Sequence, residues 1–232
     1  MIPIRDTLPS RRRPVITFAI IALCSAVFVF ELALGSRGLD KLIFLGGLVP
    51  ARYSHLHWPG LAGFSASFWP FLTYMFLHGG WLHIIGNMWF LWLFGDNVED
   101  RLGRPRFLLF YLTCGIAAAL TQYALSPNSP YPMIGASGAV SGIMGAYFLL
   151  YPGARIVTLV PVFIFIQLIE IPAFVFLGIW FLLQFFSGTA ELNPALGYSG
   201  GVAFWAHVGG FLSGLLLIRP FSPRFLPGQA RA

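Results

Sequence analysis

Six stretches of this chain are apolar over lengths close to the thickness of a lipid bilayer. A membrane-spanning helix needs about 20 mostly apolar residues. The stretches cover residues 15–34, 72–94, 107–125, 134–151, 170–187 and 203–218. We therefore predict an all-α membrane protein. Its six-helix membrane domain would cover residues 15–219. A basic cytoplasmic tail at 1–14 would precede it, and a second cytoplasmic tail at 220–232 would follow it.

The amino-acid composition also indicates that most of the chain lies in a lipid bilayer. Of the 232 residues, 57% are hydrophobic and only 9% are charged, whereas about 25% of the residues of a soluble domain are charged. A single soluble core could not bury that much apolar surface. The cysteines, Cys24 and Cys114, fall inside predicted spans, where small buried hydrophobic residues are expected rather than a disulfide or a nucleophile.

The net charge of +6 indicates topology rather than nucleic-acid binding, because the cations lie mostly on one side. That side carries Arg5, Arg11, Arg12, Arg13, Arg101, Arg104, Arg106, Arg155, Arg219, Arg224 and Arg231, and the other carries Arg37, Lys41 and Arg52. By the positive-inside rule, both termini are predicted to be cytoplasmic. The apolar run after the first arginines is too long for a signal peptide. Short tails without a transit peptide favour a bacterial inner membrane.

The segment 156–169 is apolar but short, and Pro161 interrupts it. We predict an extended or re-entrant piece that leads into the fifth helix. A seventh span stays open as the less favoured alternative, because a hairpin at 169–172 leaves too few residues for two crossings.

Four polar residues fall at one predicted depth. Spans two, four and six all run from outside to inside, and each residue of a helix adds 1.5 Å along its axis. His83 and Asn87, Ser137 and His207 therefore all lie in the outer half of the membrane. A single intramembrane Ser or His is commonly a structural hydrogen-bonding group. Four at one depth indicate a functional site.

The chemistry of these residues is complementary. A serine hydroxyl becomes a nucleophile when a base removes its proton, and neutral imidazole can do so near pH 7. Asn87 and His83, at i and i+4 on one helical face, offer donors for a developing oxyanion. Glycines around Ser137 leave its backbone N–H accessible.

Glycines also recur at a spacing of four in two spans. Gly138 and Gly142 form one small-xxx-small face, and Gly210 and Gly214 form another. Such faces let helix backbones approach closely in lipid. We therefore expect the fourth and sixth helices to pack tightly and bring the serine and the second histidine together.

Taken together, these blocks resemble the rhomboid family of intramembrane serine proteases. The similarity rests on HGGWLHIIGN, GASG and AHVGGFLSG, supported by FLGGLVPARY and GDNVEDRLG. The blocks run in the family's order, from Leu45 to Gly214.

The resemblance implies a six-helix rhomboid-like bundle with Ser137 as nucleophile and His207 as general base. Asn87, His83 and the Ser137 N–H would form the oxyanion hole. Rhomboids cleave single-pass membrane proteins near the outer membrane face. The implied partners are transmembrane protein substrates and the lipid bilayer, with no nucleic acid, cofactor or metal.

The resemblance also implies two mobile or interfacial regions. The loop 34–70 would be half sunk in the outer leaflet, since it is rich in aromatic residues: Trp58, Phe64, Phe68 and Trp69. Helices two and five would form a lateral gate held shut by bulky side chains; the alternative is that the aromatic ones among them simply face lipid. Those side chains are Trp81, Ile84, Ile85, Trp180, Phe181, Phe185 and Phe186, beside a glycine-rich loop at 188–201.

One position departs from the family pattern. Many rhomboids carry an aromatic residue one turn after the nucleophile, where this chain has Ser141. We therefore expect the His207 ring to be oriented differently, by a hydroxyl hydrogen bond. Glu31 and Glu170 are interpreted as interfacial residues rather than as a third member of the site.

Other functions fit the sequence less well. A proteolytically inactive rhomboid-like binding or chaperone protein would lack the serine or the histidine, and both are present. A transporter or channel predicts inverted repeats or mid-helix charges. A zinc protease predicts HExxH, which does not occur.

Overall fold

The computed structural model describes residues 2–54, 68–162, 165–192 and 201–222. Its helices are α1 (Val15–Ala33), α2 (Gly35–Gly46), α3 (Ala51–Ser54), α4 (Pro70–Thr73), α5 (Trp81–Leu102), α6 (Arg104–Leu125), α7 (Ser137–Leu150), α8 (Ala173–Glu191) and α9 (Phe204–Phe221). Its strands are β1 (Ile2–Asp6), β2 (Arg155–Val162) and β3 (Phe165–Pro172). The predicted all-α class is confirmed, with a small sheet added at one end.

The six predicted spans correspond to α1, α5, α6, α7, α8 and α9. Four helices in the described ranges, α1, α6, α8 and α9, are long and apolar enough to cross a membrane. Helix α7 is apolar but has only 14 residues. Helix α5 ends in a polar turn that carries Glu99 and Asp100. The number of crossings and the domain boundaries remain predictions.

Helix α7 lies at the centre of the bundle. Every residue of α7 from Gly138 to Tyr147 is buried, and α9, α6, α5 and α8 pack around it. The two ends of α7 lie at opposite ends of the bundle. The start of α7 lies near Tyr74, whose carbonyl accepts the Gly135 N–H at 2.8 Å. Its last turn lies at the sheet.

The glycine faces of α7 and α9 meet as predicted. A Cβ on Gly210 would overlap the carbonyl oxygen of Gly138, and one on Gly214 would overlap that of Gly142. No side chain separates the two backbones there. The expected close approach of these helices is confirmed.

The segment 156–169 is extended, as one of the predicted alternatives stated, but it belongs to a β-hairpin. β2 pairs antiparallel with β3, with Arg155 opposite Pro172. The fifth helix begins at Ala173 rather than at residue 170, because Pro172 keeps extended backbone angles (φ −55°, ψ 137°) as its N-cap. The seventh span is therefore not formed.

The predicted tail 1–14 is attached to the bundle. β1 pairs antiparallel with β2 from the opposite side to β3. The indole N–H of Trp89 on α5 donates to the Pro3 carbonyl at 2.7 Å, and the Tyr147 hydroxyl of α7 donates to Asp6. Burial raises the pKa of the Asp6 carboxyl above its ordinary value, although this hydrogen bond opposes the shift.

Glu99 fixes the start of α1. Its carboxylate accepts the backbone N–H groups of Ile16 and Thr17 at 3.0 and 2.8 Å, and also the Thr17 hydroxyl at 2.9 Å. The first N–H groups of a helix have no intrahelical acceptor, so an acidic side chain from α5 satisfies them. The end of α5 and the start of α1 thus lie together beside the sheet.

Candidate active site

Ser137 is the first residue of α7 and is half-buried. The chain enters the helix through Gly135, whose φ of +115° strongly favours glycine. The first-turn N–H groups of α7 lack intrahelical acceptors. The serine hydroxyl therefore lies beside free backbone donors.

Two side chains of α5 line the turn that leads to Ser137. A Cβ on Gly135 would overlap Nε2 of His83 and lie 3.4 Å from Nδ2 of Asn87. The backbone of this turn is thus in direct contact with both groups. The structure brings the two predicted oxyanion residues to the turn that leads to Ser137.

The hydrogen bonds of these two side chains leave donors available. The Gly79 N–H donates to Nδ1 of His83 at 3.4 Å, so in the neutral ring Nε2 carries the proton. Asn87 is 7% exposed, and its Nδ2 has no acceptor among the described residues. Buried amide groups are normally paired, so an unpaired one next to the turn that leads to Ser137 is suited to binding an oxyanion.

His207 lies in the first turn of α9. Its Nδ1 is 2.8 Å from Oε1 of Gln184 on α8. The Trp180 ring, one turn earlier on α8, packs on the imidazole with ring centroids 5.9 Å apart. The side chain of His207 is therefore held from α8.

The expectation of a hydroxyl partner for His207 is wrong. The Ser141 hydroxyl donates to the Ser137 carbonyl at 2.6 Å, as a serine inside a helix commonly does. Gln184 was missed in the sequence. The available signal was an amide side chain in an apolar helix, four residues after Trp180, because i and i+4 share a helical face.

Ser137 and His207 lie in the first turns of α7 and α9, and these two turns contact each other. Their neighbours Gly138 and Ala206 are in contact, since a Cβ on Gly138 would lie 3.7 Å from the Ala206 carbonyl oxygen. No hydrogen bond joins the serine to the histidine within the described ranges. Such bonds are often long in the absence of substrate and tighten when it binds.

Glu31 lies in the last turn of α1 with its side chain inside the protein, and its interfacial depth stays a prediction. Glu31 is 2% exposed, and its carboxylate accepts the His78 N–H at 3.1 Å. It fixes the segment before α5 against α1. Glu170 is exposed and pairs with Arg155 at 3.9 Å, at the sheet and away from the serine.

The lateral gate between α5 and α8 stays a prediction, and the described rings of the two helices pack on other partners. The Trp81 ring packs on Phe28 of α1, with centroids 5.1 Å apart, and Phe185 packs on Trp205 of α9 at 5.8 Å. Among the described aromatic pairs, none joins α5 to α8. Trp58, Phe64 and residues 193–200 lie outside the described residues.

A protein-family model matches more than half of the chain. The family model for the rhomboid domain matches residues 65–224. The chain belongs to the rhomboid family. This rhomboid is an integral membrane protein of a family of intramembrane serine proteases.

Curated relatives agree with this assignment. The chain is 35% identical over 140 residues to Rhomboid protease GluP of Bacillus subtilis, covering 60% of this chain and 25% of the relative. It is 35% identical over 86 residues to Putative rhomboid protease YdcA of the same organism, covering 37% and 43%. It is 28% identical over 144 residues to Rhomboid protease GlpG of Yersinia pestis, covering 62% and 46%. The chain thus spans less than half the length of each of these three relatives.

Proposed function

We propose that this rhomboid is a serine endopeptidase that cleaves single-pass membrane proteins with a Ser137–His207 dyad. The observation that carries the proposal is the unpaired, buried Nδ2 of Asn87 next to the turn that begins α7. A donor without an acceptor at this point fits a developing negative charge. Buried amide groups are normally paired, and this unpaired donor lies at the turn that leads to Ser137.

The proposed reaction begins with a proton transfer. Nε2 of His207 takes the hydroxyl proton of Ser137 while Oγ attacks the scissile carbonyl carbon. Asn87 Nδ2, His83 Nε2 and the Ser137 N–H donate to the oxyanion of the tetrahedral intermediate. The imidazolium then gives its proton to the leaving amine. Water hydrolyses the acyl-enzyme by the same steps and restores both residues.

The proposed orientation places both termini in the cytoplasm and the dyad near the outer face, in a bacterial inner membrane. The arginine bias supports this orientation. The sheet, which contains the amino-terminal strand, and the connection from α5 to α6 lie at the same end of the bundle. The start of α7, with Ser137, lies at the other end. A substrate would meet the serine from the side opposite the sheet.

The test uses purified protein in detergent and a panel of single-span substrates. Wild-type protein is expected to cleave at least one of them, and Ser137→Ala and His207→Ala are each expected to abolish cleavage while Tm is unchanged. Members of a catalytic unit are not additive, so the double variant should lose no more than either single one. Binding of substrates without cleavage would instead support a binding or chaperone role. Near-wild-type turnover by either single variant would overturn the dyad.

A further inference from the structure

The side chain of Gln184 is in an unusual environment. Helix α8 is apolar from Ala173 through Leu183, and Gln184 is its first polar side chain. It is half-buried, and its Oε1 lies 2.8 Å from Nδ1 of His207. The amide thus bonds the ring to which the proposed function assigns the base role.

This contact determines which ring nitrogen carries the proton. An amide oxygen only accepts hydrogen bonds, so Nδ1 of His207 must be the donor. In a neutral imidazole the other nitrogen, Nε2, is then unprotonated. A general base needs that free lone pair. The opposite tautomer would place a hydrogen where the serine proton has to go.

Two contacts from one face of α8 hold the ring. Trp180 and Gln184 stand at positions i and i+4 of α8 and therefore share a face of the helix. Trp180 packs on the imidazole, and Gln184 fixes its rotation through the hydrogen bond. Ser141 takes no part, because its hydroxyl is bonded to the Ser137 carbonyl.

We propose that Gln184 is the positioning residue of the dyad, a role that rests on the proposed function. When Ser137 attacks, its proton moves to Nε2 and the Nδ1 proton stays between His207 and the amide oxygen. The hydrogen bond becomes charge-assisted, and such bonds are stronger than neutral ones. Gln184 therefore stabilises the imidazolium as well as selecting the reactive tautomer, without receiving a proton.

The first measurement reads the tautomer directly and does not depend on activity. Protein with ¹⁵N-labelled histidine is compared by NMR in micelles, and His207→Ala assigns the signal. Wild-type protein is expected to show a protonated Nδ1 and an unprotonated Nε2. Gln184→Met, which keeps the side-chain length without the acceptor, should give a mixture of tautomers. The same change at exposed Gln167→Met on β3 is the matched control and should give the wild-type spectrum.

The second measurement is kinetic. Gln184→Met is expected to lower kcat by about tenfold or more, with KM little changed, because only part of the roughly 10²–10⁴-fold benefit of general acid–base catalysis depends on orientation. Gln184→Glu restores an acceptor. It should recover activity and move the acidic limb of the kcat profile to higher pH, because the carboxylate favours the protonated ring.

The outcomes are separable. A wild-type tautomer and wild-type kcat in Gln184→Met would overturn the positioning role. If that variant does not fold, an acidic limb in Gln184→Glu identical to that of wild type would also overturn it. Absence of cleavage by wild-type protein would contradict the proposed function, whereas the NMR comparison would still test the contact.

Discussion

Helix α9 is held in two different ways by its two neighbours in the site. Against α7 it packs backbone on backbone, at positions where Gly210 and Gly214 leave no room for a Cβ. Against α8 it packs through side chains, such as Phe181 on Phe211 with ring centroids 4.9 Å apart. Helix α7 is buried almost throughout, whereas Leu183 and much of the rest of α8 are exposed.

The difference separates two requirements of the proposed site. The proposed nucleophile and base lie on the pair of helices that cannot shift without a backbone clash. The group that orients the base lies on a helix attached by side chains, which can repack. Packed backbones transmit strain rather than absorb it. We therefore expect substitutions on the α7–α9 contact to affect folding and those on the α8–α9 contact to affect turnover.

The largest effect should come from a methyl group at the backbone contact. Gly214→Ala forces a Cβ into the carbonyl oxygen of Gly142. A backbone carbonyl cannot move aside by changing rotamer, as a side chain could. We expect a loss of about 3 kcal/mol or more, at the upper end for overpacked sites. The matched control is Gly178→Ala on α8, where a Cβ would lie 3.9 Å from Phe148. It should be neutral or stabilising by up to about 1 kcal/mol, as alanine is in helices.

Thermal unfolding in the same detergent measures both glycine variants. Equal Tm values for Gly214→Ala and Gly178→Ala would contradict the claim that the α7–α9 backbone contact tolerates less change than α8 does.

The next effect concerns Asn87, the proposed oxyanion donor on α5. Asn87→Ala should lower kcat by roughly 10²–10³-fold, the usual cost of one such donor, with KM little changed because the interaction forms in the transition state. Asn97→Ala is the control on the same helix. Asn97 is also buried, but its Nδ2 bonds the Leu8 carbonyl at 3.2 Å, so its loss should lower Tm and leave kcat unchanged. An Asn87→Ala variant altered only in KM would indicate a substrate-binding role.

A smaller effect is expected where α8 packs on α9. Phe181→Ala should cost less than the roughly 3–5 kcal/mol of a fully buried phenylalanine, because Phe181 is only half-buried. It should also lower kcat by loosening the helix that carries Gln184. Phe186→Ala is the control, since that ring is 62% exposed. Unchanged kcat in Phe181→Ala would mean that the position of α8 does not affect the base.

The smallest effect lies at the sheet, far from the site. Because burial raises the folded-state pKa of Asp6, the folded protein favours the protonated carboxyl. Stability from this group is present below the ordinary value of 3.8 and is lost as pH rises through the folded-state pKa. Asp6→Asn should therefore raise Tm at pH 7, and this advantage should shrink as pH falls towards 3.8. A pH-independent difference in Tm would contradict the assignment.

The sequence predicts the α7–α9 side of this comparison better than the α8 side. Apolar length locates the helices, and the Gly210 and Gly214 spacing predicts the close contact, because both signals are local. The Gln184–His207 bond depends on how α8 is rotated against α9, which no local pattern specifies. The pairing of β1 with β2 joins residues about 150 positions apart. Glu31 accepts a backbone N–H in the protein interior. A backbone group is the same in every residue type, so the sequence gives no sign of this contact.

The central claim is that Ser137 is a nucleophile activated by His207, and covalent labelling tests it most directly. A fluorophosphonate reacts with an activated serine by forming a P–O bond as fluoride leaves, and mass spectrometry then locates the adduct. We predict one adduct, on the peptide that contains Ser137, absent from Ser137→Ala and strongly slowed in His207→Ala. An adduct on a different serine, or labelling of Ser137 at the wild-type rate in His207→Ala, would contradict the account.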